Sequence, residues 1–115
     1  MVVELRQAQD FEQLLQRSRQ DPVVIFKHST QCSRSADARD ELNAFIAGNE
    51  EIPCGIVLVI ENRKVSDEIE DRLGILHESP QALVVVNENP VWHASHWDVT
   101  AQAIHDAVVK GKREA

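Results

Sequence analysis

Two spacings of apolar residues alternate along this chain, short continuous runs and residues three or four apart, and each switch marks an element. Val2 to Leu5 predicts a short edge strand. Asp10-Phe11-Glu12-Gln13 offers a capping box, and Phe11, Leu14 and Leu15 share one helical face. That helix should end near Asp21-Pro22, because proline disfavours helical backbone in the residue before it. Val23 to Phe26 is a continuous β-branched and aromatic run, the pattern of a strand covered on both faces. From Ser33 to Ala47, Ala38, Leu42, Phe45 and Ile46 recur at helical spacing and Gly48-Asn49 supplies a stop. Ile52 to Ile60 predicts a second buried strand, parallel to the first across the helix between them. Val65, Ile69 and Leu73 mark a shorter helix ending at Gly74. Ala82 to Val86 and Val91 to Ala94 then form a hairpin about the turn Asn87-Glu88-Asn89-Pro90. Asp98 or Thr100 caps a last helix, with Val99, Ala103, Ile104, Ala107 and Val108 on its apolar face and Gly111 at its end.

The 115 residues suit a single α/β domain, residues 1–115, with a core that needs no disulfide staple. A net charge of −7 and 4% aromatic residues argue against nucleic acid, which asks for a basic stripe and stacking rings. The N-terminus lacks a basic region followed by an apolar one, and the apolar runs are too short to cross a bilayer. A cytoplasmic protein with no membrane partner is the expectation. Two cysteines, Cys32 and Cys54, do not make a secreted disulfide framework.

Chemistry concentrates where the Val23 strand runs out through Lys27-His28-Ser29-Thr30-Gln31 to Cys32, at the start of the following helix. A thiol there meets unpaired backbone N–H groups and the positive end of the helix dipole, both of which favour the thiolate that attacks disulfides. The βαβ unit puts it at the carboxyl end of the sheet, where open α/β folds keep their sites. Cys54, by contrast, begins the second strand and reads as a small core residue. On parallel strands the two sulfurs stand roughly 15 to 20 Å apart at about 3.3 Å per residue. A disulfide needs Cα atoms within about 7 Å, so Cys54 is not placed to resolve Cys32. The five histidines are scattered without the spacing of a zinc site, so no metal is expected.

The order βαβ then αββα is that of the thioredoxin fold, a central mixed sheet of four to five strands flanked by helices. Within it, Lys27 to Cys32 followed by Ser35, His77-Glu78-Ser79-Pro80-Gln81, and Val91-Trp92-His93-Ala94-Ser95-His96 together resemble the YtxJ-like monothiol bacilliredoxin family. The resemblance implies a thiol-disulfide oxidoreductase, with Cys32 as nucleophile, that reduces mixed disulfides between proteins and bacillithiol, a low-molecular-weight thiol. It also implies a cis Ser79-Pro80 bond facing the nucleophile, with the Ser79 backbone and hydroxyl available to substrate. Bacillithiolated proteins would be the partners and bacillithiol the co-substrate, with no bound cofactor. Ser35 stands in the resolving position of a dithiol thioredoxin, so the mechanism would be monothiol. Ser33 stands where the family commonly has proline and restores an N–H donor near the sulfur.

Ser29, Thr30 and Ser33 are the further candidates to hold the thiolate or its substrate. His28 and His77, at the same end, are candidates to tune it, and Arg34 to attract an anionic thiol. Trp92 is expected in the core. Two other functions fit the same residues: a non-catalytic thioredoxin-like interaction module, and a redox sensor in stress response whose modified Cys32 alters a partner contact. The residues do not choose between bacillithiol and glutathione.

Overall fold

Strand β2 (Val23–His28) occupies the middle of a five-stranded sheet of order β1-β3-β2-β4-β5, in the computed structural model of residues 1–114. β1 (Val2–Glu4) and β2 both run parallel to β3 (Cys54–Leu58). β4 (Gln81–Val86) runs antiparallel to β2 and pairs with β5 (Asn89–Ser95) in a hairpin. Helices α1 (Ala8–Arg17) and α3 (Arg63–Leu73) cover one face, and α2 (Ser33–Gly48) and α4 (Ala101–Glu114) the other. This is the thioredoxin-like mixed sheet that the order of elements predicts.

The continuous apolar run of β2 follows from this layering, since each face of the strand feeds a different core. Val24 and Phe26 pack with Ala38, Leu42, Phe45 and Ile104, whereas Val23 and Ile25 pack with Phe11, Leu15 and Ile69. Register then fixes the ends. Val24 lies beside Cys54, His28 beside Leu58, and Lys27 beside Gln81, so the carboxyl end of β2, the entry to β4 and the exit of β5 at Ser95 meet at one edge.

Several boundaries differ from the sequence expectation. Asp10 is not the N-cap of α1 but its third residue, and its Oδ2 accepts from the backbone N–H groups of Arg6 and Gln7, both at 3.0 Å. The helix stops at Arg17 rather than near Asp21, because residues 18–20 tighten into turns of i to i+3 bonds. β3 is shorter than Ile52 to Ile60, with Ile60 turned out to solvent. Helix α4 continues past Gly111 to Glu114. Gly111 is buried, and a Cβ there would lie 3.0 Å from Val86 Cγ2, so the glycine answers a close approach rather than a stop. At the other end of α4, Thr100 Oγ1 accepts from the Ala103 N–H at 3.1 Å, and Glu41 of α2 accepts from the Ala101 N–H at 2.9 Å.

The hairpin turn is only two residues, Asn87 and Glu88, both in left-handed backbone at φ 51° and 65°. That geometry suits asparagine better than glutamate. Glu88 is held there from outside: its N–H donates to Ser18 Oγ at 2.9 Å, and its carboxylate binds Arg72 at 2.8 Å and also Arg19.

Gly55, in the middle of β3, lets α1 and the chain after β1 settle on the sheet, since a Cβ there would lie 2.6 Å from Leu14 Cδ2 and 2.9 Å from Leu5 Cδ1. Gly55→Val should therefore destabilise the fold by about 1–3 kcal/mol, the usual range for overpacking a filled core, read as a lower urea midpoint.

Candidate active site

The chain leaves β2 at His28, crosses Ser29-Thr30-Gln31, and reaches Cys32 in extended backbone at φ −121° and ψ 124°, as the N-cap of α2. The Cys32 carbonyl accepts the Ala36 N–H at 3.2 Å, which starts the helix, while its side chain makes no capping hydrogen bond. Cys32 is a free, half-exposed cysteine. The first turn of α2 contains no acidic residue, so its unpaired N–H groups face no carboxylate of their own helix. Ser33 is exposed at the first helical position.

Ser35, in the place of a resolving cysteine, is fully buried. Its Oγ lies 2.9 Å from the Ser29 N–H, which donates to it, and 2.7 Å from His28 Nδ1. The ring of His28 stacks on Phe26 with centroids 5.7 Å apart. Burial lowers the His28 pKa from the ordinary histidine value, and Arg39 lowers it further against the pull of Glu61. Ser29, Ser35 and His28 thus form one hydrogen-bonded unit at the root of the Cys32 turn. Thr30 is exposed and, with His28 and Arg39, borders a cleft of about 450 Å³ beside β1 and β3.

The Ser79-Pro80 peptide bond is cis, as the family resemblance implied. The pairing of Gln81 with Lys27 sets this bond beside the exit of β2. Pro80 is buried, and its carbonyl accepts the His96 N–H at 3.0 Å, tying the proline loop to the 3₁₀ turn His96–Asp98. Ser79 Oγ and His96 Nδ1 are both buried atoms without a hydrogen-bond partner among the described residues.

His77 belongs to the other face of the sheet. Its Nδ1 lies 3.1 Å from Lys27 Nζ and 3.2 Å from Ser66 Oγ, and its N–H donates to Glu70 at 2.6 Å. Opposite a lysine ammonium, which only donates, Nδ1 is the acceptor. Burial lowers the His77 pKa, with Lys27 and Arg63 adding to that and Glu70 and Asp67 opposing it. Lys27 is fully buried, and burial lowers its own pKa while Glu70 and Asp67 draw it back up. In the sequence Lys27 belongs to the polar exit of the strand, and its enclosure comes from β2 running on to His28 and from the packing of α3 and the His77 loop over it.

Arg34 lies on the first turn of α2 with its guanidinium carbon 5.4 Å from the centre of the Trp97 ring, and Trp97 remains 66% exposed. Sequence reasoning passed over Trp97 and His96 as parts of the site. Their proximity to Cys32 comes from the sheet register, which no local pattern encodes. Trp92, by contrast, packs against the α2 and α4 core as expected.

Cys54 is buried at the far end of β3 beside Val24, four strand residues below His28, or about 13 Å at 3.3 Å per residue. Burial pushes its thiol up to about 11, against the lowering effect of the N-terminal ammonium. The two cysteines are therefore not positioned to bridge. Among the described residues no three His, Cys, Asp or Glu side chains gather to hold a metal, and no helix is long and apolar enough to cross a membrane.

A family model described as monothiol bacilliredoxin BrxC matches residues 3–104. Among solved structures, a candidate oxidoreductase with a thioredoxin fold is 31% identical, with 92% of each chain covered and a TM-score of 0.84. A thioredoxin from Fasciola hepatica is 15% identical, covering 96% of this chain and 99% of its own, with a TM-score of 0.77. Mitochondrial thioredoxin 3 from Saccharomyces cerevisiae is 14% identical, covering 95% and 94%, with a TM-score of 0.74. The last two speak for the fold alone.

Ser35→Ala leaves the Ser29 N–H and His28 Nδ1 without their partner and should cost about 1–3 kcal/mol, seen as a lower unfolding free energy in urea. The two histidines give a pH dependence whose sign is fixed. Their folded pKa values are depressed, so the unfolded chain takes up protons first as pH falls through about 6.5. Their contribution to stability is present above that pH and is lost as pH falls through the folded values. Urea unfolding at neutral and mildly acidic pH should show this loss, and it should shrink when His28 and His77 are both replaced by Asn.

Proposed function

Since the chain belongs to the monothiol bacilliredoxin family, thioredoxin-fold thiol oxidoreductases, we propose that Cys32 is its nucleophile and that it removes bacillithiol from proteins modified as mixed disulfides. The observation that carries this reading is a single half-exposed thiol at the N-cap of α2, flanked by the cis-proline loop, with a serine in the place of a second thiol.

The Cys32 thiolate attacks the bacillithiol sulfur of the mixed disulfide. That disulfide breaks, the substrate thiolate leaves and takes a proton from solvent, and bacillithiol remains joined to Cys32. A second bacillithiol thiolate then attacks the bacillithiol sulfur on Cys32, releasing bacillithiol disulfide and the Cys32 thiolate. In sum the protein sulfur is reduced from disulfide to thiol, the incoming bacillithiol sulfur is oxidised from thiol to disulfide, and the first bacillithiol sulfur passes at disulfide level into bacillithiol disulfide. The exposed Ser33 N–H and the amides beside it are suited to hold the negative sulfur, and the Ser79 backbone and hydroxyl to hold an extended substrate. Arg34, two residues on, adds positive charge toward an anionic thiol. Bacillithiolated proteins are the partners in this scheme, bacillithiol the co-substrate, and the cytoplasm the compartment.

The sensor reading differs in its second step, because a sensor holds its modified state until a partner has responded to it. The module reading needs no reactive thiol.

Cys32→Ser should abolish transfer of bacillithiol from a modified protein, whereas Cys54→Ala should retain it within a few-fold. Mass spectrometry of the mixture reads the adduct directly. A Cys32→Ser variant that still turns over sinks the proposal, and an adduct on wild-type Cys32 that added bacillithiol never releases favours the sensor.

A further inference from the structure

Beside Cys32 the structure carries a surface that thiol exchange alone does not require. Trp97 is one of the most exposed large apolar side chains, and an indole left 66% open adds little burial to the fold. It sits on a turn tied to the proline loop by the His96 N–H bond to the Pro80 carbonyl, and Arg34 from the Cys32 helix lies over its ring. Both border a cleft of about 210 Å³, which is lined also by Asp37, Glu41 and His96. The Glu41 carboxylate accepts the Ala101 N–H, while Asp37 is exposed and has no ion pair or side-chain hydrogen bond among the described residues. His96 Nδ1, on a residue that borders this cleft, and Ser79 Oγ, in the proline loop tied to it, are buried without a partner among the described residues, and buried polar atoms are ordinarily satisfied.

An open aromatic face, a free carboxylate, a guanidinium and unsatisfied hydrogen-bonding atoms suit a ligand with a flat apolar ring face, hydroxyl groups and an acidic end. A thiol built on a sugar supplies the ring face and the hydroxyls, and one that also carries an acid supplies all three, whereas a linear peptide thiol lacks the ring. Bacillithiol joins a cysteinyl thiol to glucosamine and a dicarboxylate. We propose that the Arg34–Trp97 cleft is the subsite for the small-thiol half of the mixed disulfide, where Trp97 stacks on the sugar ring, Asp37 accepts its hydroxyls, and Arg34 pairs with its carboxylates. This rests on the reading of Cys32 as a de-bacillithiolating nucleophile and goes beyond it, because it assigns the selectivity for a sugar thiol over glutathione to named side chains of this cleft.

The test uses one peptide carrying, on the same cysteine, bacillithiol, glutathione, or cysteinyl-glucosamine, which is bacillithiol without its malyl acid. Trp97→Ala should lower kcat/KM for the bacillithiol peptide roughly tenfold and leave that for the glutathione peptide within about twofold, with Trp97→Phe recovering most of the loss. Arg34→Gln should erase the advantage of bacillithiol over cysteinyl-glucosamine. Alkylation of Cys32 by iodoacetamide in the Trp97→Ala variant should proceed at the wild-type rate, and its urea midpoint should not move, which separates a lost subsite from a damaged thiol or fold. Equal losses on all three peptides, or no loss, overturn the subsite while leaving the Cys32 mechanism standing. If wild-type protein takes no bacillithiol from the peptide, the mechanism itself falls and the subsite with it.

Discussion

One buried hydroxyl holds the site end of this molecule together. Ser35 Oγ receives the Ser29 N–H and meets His28 Nδ1, so a single oxygen joins the last residue of the central strand, the first residue of the turn, and the first turn of α2. Without it the chain between His28 and Cys32 would have little fixing it, because Thr30 and Gln31 are exposed. The same side chain takes the place of a second thiol. A group that in a dithiol protein would do redox chemistry is here spent on geometry, and its burial is possible because both of its bonds are satisfied within the protein.

The sheet divides polar work between its two faces at this end. On the α2 and α4 face, His28 and Ser35 root the cysteine turn. On the α1 and α3 face, Lys27 carries a buried amino group to His77, which α3 also holds through Ser66 and Glu70. Adjacent residues of β2 point to opposite faces, so Lys27 and His28 anchor different loops while sharing one peptide bond. The cysteine turn and the loop leading to Pro80 are thereby fastened to the same point of the central strand. Carrying a lysine into the interior is costly, and Glu70 and Asp67 offset part of that cost by their charge.

Patterns with a period were legible in the sequence, and partnerships between distant residues were not. The β2 run, the α2 face through Ala38, Leu42 and Phe45, and Cys32 at a strand-to-helix junction all follow from neighbours in the chain. The start of α1 was misread because Asp10 resembles an N-cap in sequence, yet it serves as the third residue and reaches back to Arg6 and Gln7. Gly111 looked like a stop, and only contact with Val86, 25 positions earlier, explains it. The pairing of Lys27 with His77 spans 50 residues. Arg34 was visible as a charge near the thiol, but Trp97 beside it depends on the registers of β2 with β4 and β4 with β5 together.

The spacing of the two cysteines sets what kind of exchange the chain can carry out. Cys54 is buried at the amino ends of the parallel strands, and Ser35 is no thiol, so a disulfide formed at Cys32 has no second sulfur in its own chain to open it. In a dithiol protein the resolving thiol is tethered, and its effective concentration is far above that of any free thiol. For a disulfide at Cys32 in this chain the opening step would be bimolecular, and its rate would depend on how well an outside thiol is received. Under the proposed mechanism, selection among thiols would reside in the surface around the sulfur rather than in a second cysteine. That surface is also where the fold leaves an indole open and two buried polar atoms without partners, features a self-contained dithiol site would have no need to keep.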